Sequence, residues 1–153
     1  MSSEAQAHYR KPDWFTQHVF NPMVAGLTRL GVSVLGSRVL EVRGRASGEP
    51  RTNPVNLLTL DGEQYLVTPR GETQWVRNVR ADEGRCVLIL GRKRTDYLAT
   101  ELTGDAKVAV LRAYLKRWKA EVGVFFGGVG PDSTDAELAA IAPRHPVFVL
   151  ARR

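Results

Sequence analysis

The residues with the clearest chemical potential lie in a short glycine- and arginine-rich segment, residues 43–54, which reads RGRASGEPRTNP. Arg43 and Arg45 alternate on one face of a predicted strand, and Arg51 returns on the next strand, so we expect their guanidinium groups to converge on one anion. The two glycines let backbone N–H groups approach a phosphate closely, and the serine adds a hydroxyl donor. The segment therefore indicates either an anion site or a solvated basic hairpin, and composition alone favours the hairpin.

A second group of candidate residues follows a predicted third strand. Residues 68–71 read TPRG, which is another basic turn that contains glycine. In the helix predicted after this turn, Trp75 and Asn78 lie on one face. The indole is suited to wall a planar ring and the amide to bond its edge; ordinary core packing of Trp75 is the alternative.

The elements that must position these residues follow from the hydrophobic periodicity. Apolar residues spaced three and four apart predict an N-terminal helix over residues 14–35, and further helices are predicted at 73–81, after Asp105, and from a capping box at Thr134. Six strands are predicted, at residues 38–45, 51–60, 64–68, 85–90, 96–102 and 146–150, the first three forming a meander. Because open sheet edges are unfavourable, we expect closure into a small barrel.

Length and charge bound the class of protein. The 153 residues fit one domain over residues 12–153 after a flexible tail at 1–11. The formal net charge of +6 implies an anionic partner, which could be nucleic acid, an acidic membrane surface or a small molecule rich in phosphate and carboxylate.

Cysteine use and the absence of targeting signals indicate the compartment. One cysteine, Cys86, lies in an apolar run and is expected to be buried, which fits a reducing compartment. The sequence shows no signal peptide and no apolar run long enough to span a membrane, so we expect a cytoplasmic protein.

Several other functions have little support in the sequence. The three histidines show no metal-ligand spacing, and helix capping accounts for the acidic residues near position 135. No nucleophile elbow, Walker loop or Rossmann fingerprint is present. The basic, aromatic helix at residues 112–119 could be a face for nucleic acid or membrane, but Leu115 and Trp118 belong to its apolar stripe and should point inward.

Taken together, residues 43–54, 68–71 and 74–79 resemble the deazaflavin (F420)-dependent nitroreductase family. The likeness covers most of residues 12–150. It implies an α+β fold, a six-stranded split antiparallel β-barrel with an N-terminal helix and flanking helices, also found in flavin-binding proteins like pyridoxamine-phosphate oxidase. Family members bind reduced F420, whose tail carries a phosphate and a polyglutamate chain.

The resemblance also implies which residues hold the cofactor. By position in the family's motif, the residues that would bind the phosphate and the acidic tail are Arg45, Ser47, Gly48 and Arg51. Pro54 and Asn56 would line the edge of the ring. The ring and its polyol chain would be contacted by Thr68, Pro69, Arg70 and Gly71, with Trp75 and Asn78 flanking them. Two positions depart from the family: Ala46 stands where relatives often carry a basic residue, and Asn56 stands where the nitroreductase prototype has an aromatic one.

The implied activity is an F420H2-dependent reductase that transfers a hydride to an enone, quinone or nitro compound. Water, Asn56 or Tyr65 would supply the proton that completes the reduction. An FMN-dependent oxidoreductase on the same barrel and a non-catalytic basic binding module for a cofactor or nucleic acid are the alternatives. The expected partner is a small-molecule electron acceptor rather than nucleic acid, with homodimer formation and peripheral membrane contact through the N-terminal helix left open.

Overall fold

The computed structural model describes residues 36–153, and the predicted N-terminal helix lies outside them. The strands are β1 (Ser37–Arg43), β2 (Pro50–Asn56), β3 (Leu58–Leu60), β4 (Glu63–Val67), β5 (Arg85–Leu90), β6 (Lys93–Glu101) and β7 (Val147–Arg152). The helices are α1 (Gln74–Ala81), α2 (Ala106–Val122) and α3 (Asp135–Ile141), with short 3-10 helices at Gly123–Phe126 and Ala142–Arg144. The predicted α+β class is confirmed.

The strand pairing corrects two predictions. The strands are hydrogen-bonded in the order β2-β1-β5-β6-β7-β4-β3, which makes seven strands rather than six. The predicted strand 51–60 is divided at Leu57, whose N–H donates to the carbonyl of Gly36 at 2.9 Å. Residues before this point pair with β1, and residues after it pair with β4 across the Asp61-Gly62 turn. The predicted three-stranded meander is therefore wrong, since β2 and β4 are not neighbours.

Two compact units make up the described part of the chain. The β1 unit contains residues 36–57, 74–100 and 150–153, and the β3 unit contains residues 58–73 and 101–149. The prediction of one domain over residues 12–153 stays a prediction.

In the β1 unit, β1 is antiparallel to β2 on one side and to β5 on the other, and β5 is antiparallel to β6. Helix α1 packs against β1 and buries Trp75, Val76 and Val79. Cys86 on β5 is buried as predicted, and this burial raises the pKa of its thiol to about 11.

In the β3 unit, one hydrophobic core is built around α2. The prediction that Leu115 and Trp118 point inward is confirmed, because both are buried in this core together with Leu111 and Val122. The helix bends at Trp118, whose backbone leaves the helical region at φ −123° and ψ 18°. The predicted capping box of α3 is also present, with Thr134 and Glu137 each accepting a backbone N–H of the other.

Candidate functional site

The glycine-containing turn after β1 is closed by two backbone hydrogen bonds. Gly44 N–H donates to the carbonyl of Glu49, and Gly48 N–H donates to the carbonyl of Gly44, both at 2.8 Å. Gly48 has a positive φ of 76°, which L side chains rarely adopt. A Cβ atom at Gly44 would lie 3.0 Å from Ser47 Oγ and 3.1 Å from the Glu49 carbonyl oxygen. The turn is therefore crowded at Gly44 and requires a left-handed backbone at Gly48.

Arg45 does not continue the strand, so the predicted shared face of Arg43 and Arg45 is wrong. Strand β1 ends at Arg43, and Arg45 lies in the turn. Its guanidinium Nη1 donates to Asn78 Oδ1 at 2.7 Å and its Nη2 to Gln74 Oε1 at 2.8 Å. Its backbone N–H also donates to Asn78 Oδ1, at 3.2 Å. The helix α1 thus fixes the direction of this guanidinium group.

The hydroxyl of Ser47 organises the other side of the turn. It accepts the backbone N–H of Glu49 at 3.1 Å and lies 3.4 Å from Nη2 of Arg51. The guanidinium of Arg43 lies beside Gly48, with Nε and Nη2 each 3.8 Å from the position of a Cβ there. Three arginines therefore surround the turn, although each reaches it differently from the prediction.

A cleft opens beside this turn within the β1 unit. Its volume is about 670 Å³. It is lined by Gly44, Arg45, Ala46, Ser47, Pro50, Arg51, Thr52, Asn53, Gln74 and Asn78. Two of these residues are cationic, five carry hydroxyl or amide groups, and none of the described residues that line the cleft is a carboxylate. Such a donor set is suited to an anion with several oxygen atoms.

The structure brings together four of the predicted site residues and adds others. The four that line the cleft are Arg45, Ser47, Arg51 and Asn78. Sequence reasoning missed Gln74, Thr52 and Asn53 as lining residues. The spacing of Gln74 and Asn78, four apart on a helix, was the available signal that both amides face the same way.

Four further predicted residues belong to the same unit but do not line this cleft. Gly48 shapes the turn, and Pro54 is exposed on β2 opposite Val39. Asn56 pairs with Ser37 at the far end of β2, roughly 20 Å along the strand from the turn at about 3.3 Å per residue. Trp75 is buried at 8% exposure.

The TPRG turn and Tyr65 belong to the β3 unit. Thr68 donates both its N–H and its hydroxyl to the carbonyl of Pro146, each at 3.1 Å. Gly71 N–H donates to the carbonyl of Thr68 at 3.3 Å, and the Arg70 guanidinium lies 5.6 Å from the ring centroid of Phe125. These contacts hold residues 68–71, including Pro69, as an ordered turn.

A buried histidine supports this turn, and the sequence did not indicate that role for it. His145 is only 1% exposed, and its Nδ1 lies 3.0 Å from the carbonyl oxygen of Thr68. Its ring stacks on Phe126 with centroids 4.1 Å apart. Tyr65 is half-buried on β4, opposite Leu58.

Two negative findings apply to residues 36–153. No group of three or more histidine, cysteine, aspartate and glutamate side chains is arranged to hold a metal ion there. None of the helices in that range is both long and apolar enough to cross a bilayer.

Comparison with solved structures identifies the fold. An F420-H2 dependent reductase, FDR-A, superposes with a TM-score of 0.54 at 18% identity, covering 76% of this chain and 94% of that one. A protein described as a domain-swapped dimer gives 0.53 at 21% identity, covering 91% and 98%. A conserved hypothetical protein of Mycobacterium tuberculosis gives 0.52 at 17% identity, covering 76% and 72%. At these identities the likeness establishes a shared fold.

Sequence comparison identifies the family. The profile of the F420H(2)-dependent quinone reductase family matches residues 9–128, so this chain belongs to that family. No curated protein matches the chain. The chain is therefore an F420-dependent oxidoreductase, and its cofactor is coenzyme F420. The arginines and hydroxyls of the cleft fit the anionic part of this cofactor, because no carboxylate among the described lining residues opposes it.

Proposed function

We propose that the cleft beside the 44–49 turn holds the phosphate and acidic tail of F420, and that the enzyme passes a hydride from F420H2 to a quinone. The observation that supports this proposal is the lining itself. Arg45 and Arg51 stand beside a glycine turn with hydroxyl and amide donors, and no carboxylate within residues 36–153 lines the cleft.

In this proposal the side chains of the cleft bind the anionic part of the cofactor and orient it. The reduced cofactor, when bound, supplies a hydride, which is two electrons and one proton. Arg45 offers N–H groups in a direction set by α1, and Arg51 offers a second guanidinium beside Ser47. Because these donors are already placed, little ordering remains to be done when the anion binds.

A quinone is the first substrate class to test, since the family is described by quinone reduction. Enones and nitro compounds, which are also electron-poor acceptors, are the other members of the proposed class. Reduction of a quinone to a hydroquinone requires a second proton beyond the hydride. Water and the phenol of Tyr65 are candidate sources, and Asn56 is a weaker one because an amide is a poor acid. The ring contacts implied for Pro54, Trp75 and residues 68–71 stay predictions.

Cleft arginine substitutions test the proposal. Arg45→Gln and Arg51→Gln should each weaken F420 binding about ten- to one-hundred-fold, because each removes a charge-assisted hydrogen bond to an anion. Binding is measured by quenching of deazaflavin fluorescence, and turnover by the return of oxidised F420 absorbance with a panel of quinones, enones and nitroarenes.

The matched control is Lys116→Gln, which removes the same charge from an exposed position on α2. It should bind F420 as the wild type does. A deazaflavin without phosphate and tail should bind the wild type and both cleft variants equally. Equal F420 affinity of the cleft variants and the wild type would show that the tail binds elsewhere.

We also propose a cytoplasmic location. The single cysteine of this sequence, which is buried, supports it, because a lone thiol fits a reducing compartment. Peripheral membrane contact through the N-terminal helix is a prediction about residues outside the described range.

A further inference from the structure

The amide pair of Gln74 and Asn78 on helix α1 makes the most specific contacts in the cleft. Both residues lie on one helical face, four positions apart. Both side-chain oxygens accept hydrogen bonds from the guanidinium of Arg45. Gln74 Oε1 lies 2.8 Å from Nη2, and Asn78 Oδ1 lies 2.7 Å from Nη1. Asn78 is only 5% exposed, and it also accepts the backbone N–H of Arg45. The arginine is therefore fixed at its backbone and at both ends of its fork.

The chemical nature of these acceptors distinguishes Arg45 from several other arginines of the chain. Arg94 pairs with Glu41, Arg112 with Asp135, Arg85 with Asp82, and Arg153 with Asp96. In those pairs a carboxylate cancels the charge. The acceptors of Arg45 are neutral amides, which orient the guanidinium without opposing its positive charge.

The hydrogen-bond capacity of the guanidinium shows what remains for a ligand. A guanidinium carries five N–H donors, and two of them point at the amides. About three N–H groups are left, on a side chain that lines the cleft and is exposed. An oriented, uncompensated cation with free donors favours an anionic ligand over a neutral one of the same shape.

We infer that Gln74 and Asn78 are positioning residues whose neutrality determines the cleft's specificity for the anionic part of the cofactor. This inference rests on the proposed function and adds a requirement to it. The two positions must orient Arg45 and must also stay uncharged. A carboxylate at either position would keep the geometry but remove the selectivity.

Substitution of Gln74 separates orientation from charge. Gln74→Ala removes one contact, whereas Gln74→Glu keeps an acceptor and adds a negative charge. Gln74 is exposed, so both variants should fold, which thermal unfolding checks. We expect Gln74→Glu to weaken F420 binding about five-fold or more, and Gln74→Ala to weaken it less. The difference between the two variants should shrink as salt is raised, because exposed charges are screened.

Three controls make the result decisive. Gln64→Glu, on β4, changes the net charge equally outside the cleft and should bind as the wild type does. A deazaflavin without phosphate and tail should bind all variants alike. In an Arg45→Gln background, Gln74→Glu should cost less affinity than in the wild type, because the cation it opposes is gone.

The outcomes distinguish this inference from the proposed function. Equal affinity of Gln74→Glu and Gln74→Ala would overturn the inference, as would an undiminished loss in the Arg45→Gln background. In either case the proposed function stands if Arg45→Gln and Arg51→Gln still weaken binding. If those two variants bind F420 as the wild type does, the tail is not in this cleft and the proposed function itself fails.

Discussion

Gly44 shows how strongly one residue can constrain the conformation of the 44–49 turn. The two atoms nearest to a Cβ at this position belong to the turn itself, and one of them is the backbone carbonyl of Glu49. A backbone atom cannot rotate away as the end of a long side chain can. The turn at Gly44 must therefore open before any larger residue fits.

We expect Gly44→Ala to lower F420 affinity about ten-fold with little change in secondary structure, because the turn that carries Arg45 and Ser47 must shift by a few tenths of an ångström. Fluorescence titration measures the affinity, and circular dichroism measures the secondary structure. Gly123→Ala is the matched control, since the Cβ added there meets only the flexible side chain of Lys119 at 3.3 Å. Wild-type affinity in Gly44→Ala would contradict the role given to the turn.

Individual residues of the cleft differ in how far the sequence predicted them. Composition marked Arg45, Ser47 and Arg51 as candidates for an anion site, and the resemblance to an F420-dependent family assigned them to the tail of the cofactor. Their geometry was not predictable, because strand alternation gave no sign that β1 ends at Arg43. Beyond that end, the Arg45 guanidinium is held by Asn78, which lies 33 residues further along the chain, and no local pattern indicates such a contact.

Helix α3 is the element whose boundary was clearest from sequence alone. A threonine followed three residues later by glutamate is a local signal, and the structure shows both reciprocal hydrogen bonds. The contacts with the Thr134 backbone N–H and then its side chain lower the pKa of Glu137. The strand break at Leu57 carried no comparable signal, because residues 51–60 have strand character throughout and only the choice of partner strand divides them.

Removal of the cap should destabilise this element. We expect Thr134→Ala to lower the melting temperature by about 2–4 °C at neutral pH, with F420 affinity unchanged. Because the folded pKa of Glu137 is depressed, its contribution is present above the usual carboxyl pKa and is lost as the pH falls through the folded value. The difference in melting temperature between Thr134→Ala and the wild type should therefore become smaller at acid pH.

Calorimetric scans across pH measure this effect. Asp132→Ala is the control, because Asp132 is exposed and has no hydrogen bond among the described residues. It should leave the melting temperature nearly unchanged at every pH. A constant difference between Thr134→Ala and the wild type down to acid pH would argue against the capping-box account.

At the scale of the whole molecule, periodicity predicted the α+β class and most element positions. It could not predict the strand order, because which strands become neighbours depends on contacts distant in sequence. The resemblance to an F420-dependent family came from three short segments and was confirmed by a profile that spans residues 9–128. Function was thus more accessible from the sequence than topology was.

The assembly can be predicted at this scale as well. We expect a homodimer, since among the described strands β2 and β3 end the hydrogen-bonded order and each has one partner. Light scattering coupled to size exclusion should return twice the monomer mass, independent of F420. A monomer mass at micromolar concentration would contradict it.

The buried thiol of Cys86 has a practical consequence for spectroscopy on this enzyme. It is the single cysteine in all 153 residues, is 3% exposed, and has a pKa raised to about 11. A maleimide dye at neutral pH should therefore not react with Cys86, because the reagent needs an accessible thiolate. A cysteine introduced at Ala46, which lines the cleft beside the 44–49 turn, could be labelled selectively without first deleting the native one. Its emission would report occupancy of the cleft in real time.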